Sequence, residues 1–293
     1  MTIQGYGYAI NDYGSAWELD RQLSKLIEMG FTHAEVRPEG WQVWQNGQID
    51  NRRLARLTAV LDKHRAYLDY VMQLPTAVNL FNLPQQKDHQ HLLQQGIKVG
   101  AHIGAKLLMY QPGYRADRTP DDFIAMPHLM KQERRVLRQL ADETARWGGA
   151  IAILSASYLA GEQSSYAVWP ELLAQQVTKI DHPNVGLCLD FSQLFWAAKW
   201  VGFDFSQAIQ TLSPLAFHFH IQDEMGIMNH PAPTGDSLTQ CVTYLPAGWH
   251  KVPYQEGVGL LPLTELPAHL DLADTLFYPV QRPFVGSPTA VSA

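Results

Sequence analysis

The chain has 293 residues, of which 46% are hydrophobic and 17% charged, and it carries a formal net charge of −6. This composition is typical of a folded globular protein, and it argues against a nucleic-acid binder because phosphate contacts require an excess of Lys and Arg. No apolar run is long enough to cross a membrane, and the first residues lack the basic and apolar regions of an export signal. Cys188 and Cys241 have neither disulfide-framework nor metal-binding spacing, so we expect reduced thiols and a cytoplasmic protein.

Strand-like and helical patterns alternate along the chain. The predicted strands cover 5–10, 33–37, 68–74, 106–112, 150–157, 184–190, 216–223 and 275–282. Apolar residues at helical spacing predict helices over 15–30, 51–68, 89–104, 130–149, 169–180, 204–212 and 263–274. Eight strands, most of them followed by a helix, predict an α/β fold in which 1–293 form a single (β/α)8 TIM barrel. A doubly wound open sheet is the alternative, and it is disfavoured because no glycine-rich phosphate-binding sequence follows an early strand.

Two segments depart from this alternation. Residues 224–262 are rich in Gly and Pro and have no helical period, so they predict a long irregular loop in the seventh unit. Residues 283–293 are predicted to form a loose C-terminal tail. No linker divides the chain, and a single domain is therefore expected.

In a TIM barrel the chemistry lies at the C-terminal ends of the strands, so the polar residues that close the predicted strands are the candidate site residues. These are Glu35, Arg37, Gln73, Gln111, Ser155, Ser157, Asp190, Gln193, His218, His220, Asp223, Gln281 and Arg282. Inward-facing glutamines would form a neutral lining of donors and acceptors that suits a polyhydroxylated ligand. Solvent-facing positions in a Gln-rich chain are the competing explanation.

Three of these residues are candidates for acid–base chemistry. Asp190 follows an apolar strand and either acts at the barrel mouth or merely caps a helix. His218 and His220 are expected to alternate on one strand, so that only His220 faces the mouth. Glu35 is a candidate base or ligand-binding anion, and an ion pair with Arg37 or Arg115 is its simpler interpretation.

Several segments together resemble one barrel superfamily. GAKLLMYQPG, LRQLADETARWGGAIAIL, VGLCLDFSQ, HFHIQD and EGVGLLPL occur in an order that resembles the xylose-isomerase-like barrels, which include sugar isomerases, sugar epimerases and endonuclease IV. The segment PTAVNLFNLP is similar to a turn of the endonuclease branch. The resemblance covers about residues 30–285 and implies a TIM barrel that acts on a sugar.

The resemblance also implies a divalent cation held by Glu, Asp, His and Glu at the ends of strands five to eight. Asp190 and His220 match the middle two positions, whereas Ser155 and Gln281 stand where the two Glu would be. One carboxylate and one imidazole leave a hard cation short of anionic ligands. We therefore expect no cofactor, and leave open a divalent ion (Mn, Mg or Zn) at Asp190 and His220.

The remaining family positions are also altered. Gln193 stands where the family has a substrate-contacting His, and Gln73 and Gln111 stand where the endonucleases have His ligands. These losses and the negative charge disfavour a role in DNA repair.

The sequence thus predicts a sugar isomerase or epimerase that transfers a proton next to a carbonyl, with Asp190, His220 and Glu35 as acid–base groups. The expected ligand-binding residues are Gln73, Gln111, Ser155, Gln193, Gln281 and Arg37. The alternative is a catalytically silent barrel that binds a carbohydrate-like ligand, because fold alone does not decide activity. Asp190 beside His220 would raise the pKa of the imidazole and make the two an acid–base couple. A homo-oligomer is left open.

Overall fold

The computed structural model describes residues 7–10, 15–45, 47–115, 120–155 and 165–220. The predicted eighth strand, the helix before it, the loop 224–262 and the tail 283–293 lie outside the described residues. Within the described part, no helix is both long enough and apolar enough to cross a membrane.

Seven strands form one parallel sheet in the order of the sequence. They are β1 (Gly7–Ile10), β2 (His33–Val36), β3 (Asp69–Gln73), β4 (Ala105–Tyr110), β5 (Ala150–Leu154), β6 (Val185–Asp190) and β7 (Ala216–His220). Each coincides with a predicted strand, with ends shifted by a few residues. Short apolar runs bounded by turns are therefore a sufficient signal for these strands.

Seven helices are described. They are α1 (Ala16–Glu28), α2 (Asn51–His64), α3 (Gln86–Ile103), α4 (Pro120–Ala145), α5 (Pro170–Ile180), α6 (Phe191–Val201) and α7 (Phe205–Leu212). A helix follows each strand from β1 to β6. After β2, β3 and β5 a short 3-10 turn comes first (Pro38–Trp41, Leu83–Gln85 and Tyr166–Val168). Such crossovers are what parallel neighbours require.

Helix α6 is the first of two described elements that the sequence did not predict. Phe191–Val201 is apolar on nearly all sides and continues the apolar run of β6, so it has no clear helical period. The residues at its two ends indicate the helix instead. The side chain of Asp190 accepts a hydrogen bond from the backbone N–H of Gln193, and Gly202 closes the helix with a φ of 89°.

A short antiparallel hairpin was also not predicted. It pairs Trp44–Gln45 with Gln48–Ile49, and Gly47 in its turn has a φ of 75°. Two-residue strands are too short to leave an alternating pattern in the sequence.

The sheet is curled, as one contact across it demonstrates. Glu35 on β2 and His220 on β7 lie five strands apart in the sheet order, yet Oε2 of Glu35 is 2.8 Å from Nε2 of His220. A flat sheet would separate these strands by about 24 Å, at roughly 4.8 Å per strand. The contact therefore requires the sheet to close on itself as a barrel does.

Apolar side chains fill both surfaces of the curled sheet. A small inner cluster comprises Val71, Leu107, Met109, Ala152 and Cys188, and a much larger core lies between the sheet and the helices. The inner cluster lies next to the polar residues, since the register pairs Val71 with Glu35 and Cys188 with His218. Parallel strands that are buried on both faces have this continuous apolar character.

A buried carboxylate ties the outer helices to the barrel mouth. Oε1 of Glu133 accepts hydrogen bonds from the Tyr110 hydroxyl at 2.7 Å and the Gly113 N–H at 2.9 Å, and Oε2 accepts from the Gln176 amide at 2.7 Å. Burial raises the pKa of Glu133, and the hydrogen bonds oppose this only in part. The group thus connects α4 and α5 to the segment that leaves β4.

We expect Glu133→Gln to lower the free energy of unfolding by about 1–3 kcal/mol at low pH, since the new amide faces the Gln176 amide as a second donor. Because the folded pKa is raised above its ordinary 4.5, the stability that the native carboxyl contributes is fully present below pH 4.5. It is lost as the pH rises through the folded pKa. The difference in the free energy of unfolding between the wild type and Glu133→Gln should therefore decrease with increasing pH in urea unfolding experiments.

Glu171→Gln, at an exposed position on α5, is the control, and it should not change the pH dependence. If the difference in stability between the wild type and Glu133→Gln increases as the pH rises above 4.5, the raised pKa of Glu133 is contradicted.

Candidate active site

Glu35 lies at the centre of a polar cluster at the C-terminal side of the barrel. Its side chain is 1% exposed, and its Oε2 is 2.8 Å from Nε2 of His220 and 3.9 Å from Nε2 of His218. Its other oxygen, Oε1, accepts a hydrogen bond of 2.7 Å from the side-chain amide of Gln73. Glu35 thus contacts residues of β3 and β7, and the charge of Arg37 acts on it as well.

Asp190 and His220 are neighbours in the sheet, paired in register at the ends of β6 and β7. Oδ2 of Asp190 lies 3.8 Å from Nδ1 of His220, and Oδ1 accepts a hydrogen bond of 2.9 Å from the N–H of Gln193. The Ser155 hydroxyl accepts a hydrogen bond of 2.9 Å from the N–H of Asp190. Asp190 is therefore both a helix cap and a member of the cluster.

The charges of this cluster stabilise one another. Burial alone would raise the pKa of Glu35, but the charge and hydrogen bond of His220, with weaker effects of His218 and Arg37, lower it to about 2. Burial would lower the pKa of His220, but the acidic groups around it, Cys188, Glu35 and Asp190, raise it well above 6.5. Burial raises the pKa of the Cys188 thiol, and the charge and hydrogen bond of His220 oppose this only in part.

The raised pKa of His220 confirms what the sequence led us to expect, but its main carboxylate partner is different. Glu35 is 2.8 Å from one ring nitrogen, whereas Asp190 is 3.8 Å from the other. The sequence could place Asp190 and His220 on adjacent strands. It had no local signal for a partner on β2.

The expectation that only one of His218 and His220 faces the interior is wrong. Residues two apart on a strand point to the same face, and here both rings face the barrel interior. Their centroids are 5.2 Å apart at an interplanar angle of 79°, and both approach Glu35. His218 is therefore part of the cluster.

The other predicted site residues are distributed unevenly. Gln73, Ser155 and Gln193 contact cluster members as described above, although Gln193 does so through its backbone N–H. Gln111 follows β4 in a half-buried position, without a described hydrogen bond to the cluster, and Arg37 follows β2 and acts on Glu35 through its charge. Gln281, Ser157, Asp223 and Arg282 lie outside the described residues.

Cys188 is the member that sequence reasoning missed. It was interpreted as a bystander in an apolar strand, yet its sulfur and one ring nitrogen each of His218 and His220 all lie within 4.8 Å of one another. The signal was its spacing. Cys188 is two residues before Asp190, so it shares the inward face, and the register pairs it with His218.

The described residues fit the hard divalent cation of the resemblance poorly. At the position of one expected Glu, Ser155 offers a neutral hydroxyl that already accepts a hydrogen bond. Asp190 uses one carboxylate oxygen to cap α6, and both nitrogens of His220 face carboxylates. Mg²⁺ and Mn²⁺ favour several anionic oxygen ligands, and this set supplies too few of them.

Comparison with protein families identifies the class. Residues 23–274 match the family model described as the xylose isomerase-like TIM barrel. The chain belongs to this family, which confirms the resemblance and the fold class inferred from the sequence. No curated protein matches the sequence.

Solved structures agree on the fold at low sequence identity. A D-tagatose 3-epimerase-like protein superposes with a TM-score of 0.68 at 13% identity, over 93% of this chain and 98% of that chain. A D-psicose 3-epimerase crystallised in the presence of D-fructose gives 0.66 at 12% identity, over 94% and 99%. A xylose isomerase-like TIM barrel protein from Mycobacterium smegmatis in complex with magnesium gives 0.61 at 13%, over 93% and 97%.

We expect Glu35→Gln to lower the free energy of unfolding by about 3–5 kcal/mol, because removing one member of a buried charge pair leaves the other uncompensated. Chemical denaturation of the two proteins measures this cost. Glu28→Gln, which removes an exposed carboxylate, should change stability by less than about 1 kcal/mol. A cost for Glu35→Gln as small as that of the control would mean that the pair with His220 does not stabilise the barrel.

Proposed function

We propose that this protein is a sugar isomerase or epimerase that moves a proton on the carbon next to a carbonyl group. Membership of the xylose isomerase-like family and the fold shared with sugar epimerases support this class. The observation that carries the proposal is the position of His220 between two carboxylates at the C-terminal ends of the strands. This is the part of a TIM barrel where catalytic residues lie.

Exposure distinguishes the roles of the three residues. The side chains of Asp190 and His220 are each 10% exposed at the mouth, whereas Glu35 is 1% exposed beneath them. Asp190 is thus the carboxylate that a substrate can reach, and Glu35 acts through His220 as a positioning residue. Among the described residues, no other carboxylate shares this cluster.

The chemistry follows from these roles. The Asp190 carboxylate takes the proton from the carbon next to the carbonyl, and the His220 imidazolium protonates the carbonyl oxygen, which yields an enediol. If a donor on the opposite face of the enediol returns a proton to the same carbon while His220 takes back the O–H proton, the product is the epimer. If Asp190 instead delivers its proton to the former carbonyl carbon while the neighbouring hydroxyl loses its proton to His220, the product is the isomer. His220 rather than a hard cation polarises the carbonyl in this proposal, because the donor set around it lacks the anions such a cation needs.

The substrate is proposed to be a small carbohydrate, held by polar side chains around the mouth. Gln73, Gln111, Gln193 and Ser155 offer neutral donors and acceptors, to which Gln281 and Arg37 are added by sequence position. We further propose a cytoplasmic location, which the free thiol of Cys188 supports.

A catalytically silent carbohydrate-binding barrel is the second candidate. One observation favours it. Ser155 occupies the strand end where the family resemblance implies a carboxylate, and a hydroxyl does not titrate in the range of proton-transfer catalysis. In this case sugars would bind without exchange of their carbon-bound protons.

We expect the purified protein to be stabilised against heat by a subset of ketoses and aldoses, and to exchange a carbon-bound proton of the same sugars with solvent deuterium. Asp190→Asn should slow this exchange by about 100-fold or more, the usual contribution of a proton-transfer group. Asn caps helices as well as Asp does, so the melting temperature should change little. NMR of the sugar in deuterated buffer and thermal melting give the two readouts.

Asp204→Asn is the matched control, since Asp204 caps α7 by the same bond, from the N–H of Gln207 at 2.7 Å, and is not part of the cluster. Exchange should be unchanged in this variant. Sugar binding without any deuterium exchange would favour the silent barrel, and no response to any sugar would reject both candidates.

A further inference from the structure

Cys188 and His218 have no role in the proposed proton transfer, yet they lie directly beneath the residues that do. We propose that Cys188, His218 and His220 form a binding site for a borderline transition-metal ion of the Zn²⁺ or Co²⁺ type. It differs from the oxygen-rich cation site that the family resemblance implies, and binding at it does not depend on the proposed function.

The strand register brings the three donors together. Cys188 pairs with His218 across β6 and β7, and His220 follows on the same inward face. All three ligand atoms lie within 4.8 Å of one another. Bonds of about 2.0–2.3 Å to one ion would draw these atoms closer by no more than small side-chain rotations.

The donor types select the class of ion. A thiolate and two imidazoles are the ligands that Zn²⁺ and Co²⁺ accept readily, whereas Mg²⁺ and Mn²⁺ prefer carboxylate and carbonyl oxygens. The cluster therefore favours Zn²⁺ and Co²⁺ over Mg²⁺ and Mn²⁺. The sequence-based expectation of no cofactor weighed only Asp190 and His220, and Cys188 changes the donor set.

Glu35 completes the charge balance. Its Oε2 is 2.8 Å from Nε2 of His220 and 3.9 Å from Nε2 of His218, which makes it the nearest carboxylate oxygen to both rings. One thiolate and the carboxylate of Glu35 together match the charge of a divalent ion. Glu35 is thus placed to act as the fourth ligand or as the acceptor for a ring N–H.

An ion at this site would compete with the proton on His220. A coordinated imidazole is neutral and cannot protonate a carbonyl oxygen, so the metal-bound form should lack the proposed proton transfer. This consequence rests on the proposed function, whereas the binding itself does not.

The test uses the full chain, freed of metal with a chelator and titrated with Co²⁺. We expect one ion per chain, a thiolate-to-cobalt charge-transfer band in the near ultraviolet and the visible bands of a tetrahedral ion. Zn²⁺ should abolish these bands by displacement, and Mg²⁺ should leave them unchanged. X-ray absorption of the Zn²⁺-loaded wild type should contain a sulfur neighbour at about 2.3 Å, a readout that requires no variant.

Cys188→Ser should remove the charge-transfer band, and His218→Asn should weaken Co²⁺ binding. Cys241→Ser is the matched control because it removes the other cysteine of the chain, and it should keep the band. The proposal is overturned if the wild type binds no Co²⁺, if the ion has only nitrogen and oxygen neighbours, or if the band is lost in Cys241→Ser and kept in Cys188→Ser. Sugar exchange is measured separately, so failure of the metal site and failure of the proposed function remain distinguishable.

Discussion

The pair of Glu35 and His220 is the interaction on which the candidate site depends. It joins β2 to β7 across the barrel interior, between residues 185 positions apart in the chain. Taking two charges out of water carries a large desolvation cost, and such a pair persists only when further polar groups surround it. Here Gln73 donates to the carboxylate, and Asp190 faces the other side of the imidazole. The site is therefore a connected network rather than a set of independent strand-end residues.

The imidazole of His220 takes part in both proposals for this network, proton transfer and metal binding. Nε2 of His220 contacts Glu35 and Nδ1 faces Asp190, so a proton on the ring is stabilised from both sides. The layer beneath adds a thiol and a second imidazole, which are ligands for a different type of ion. A proton and a metal ion would stabilise the same carboxylates and exclude each other at His220. The same residues thus suit a metal-independent acid–base site and a thiophilic metal site.

Asp190 both caps a helix and belongs to the polar cluster. Its simpler interpretation, a helix cap, is correct, since Oδ1 accepts from the first turn of α6. Its second oxygen is directed toward His220, so the cap also sets the orientation of the carboxylate at the mouth. Helix α6 was missed because apolar residues occupy nearly every position of Phe191–Val201, and periodicity cannot separate such a segment from a buried strand.

The sequence by itself determined the alternation of strands and helices, and with it the barrel and the set of polar residues at strand ends. These features are local, because a period of two or 3.6 residues is visible within a short window. Only the tertiary structure decided which of those residues meet. Glu35 contacts His220 because the sheet is curled. Cys188 lies next to His218 because the register of β6 and β7 pairs the two residues. Curvature and register are set by packing over the whole sheet, and no single segment encodes them.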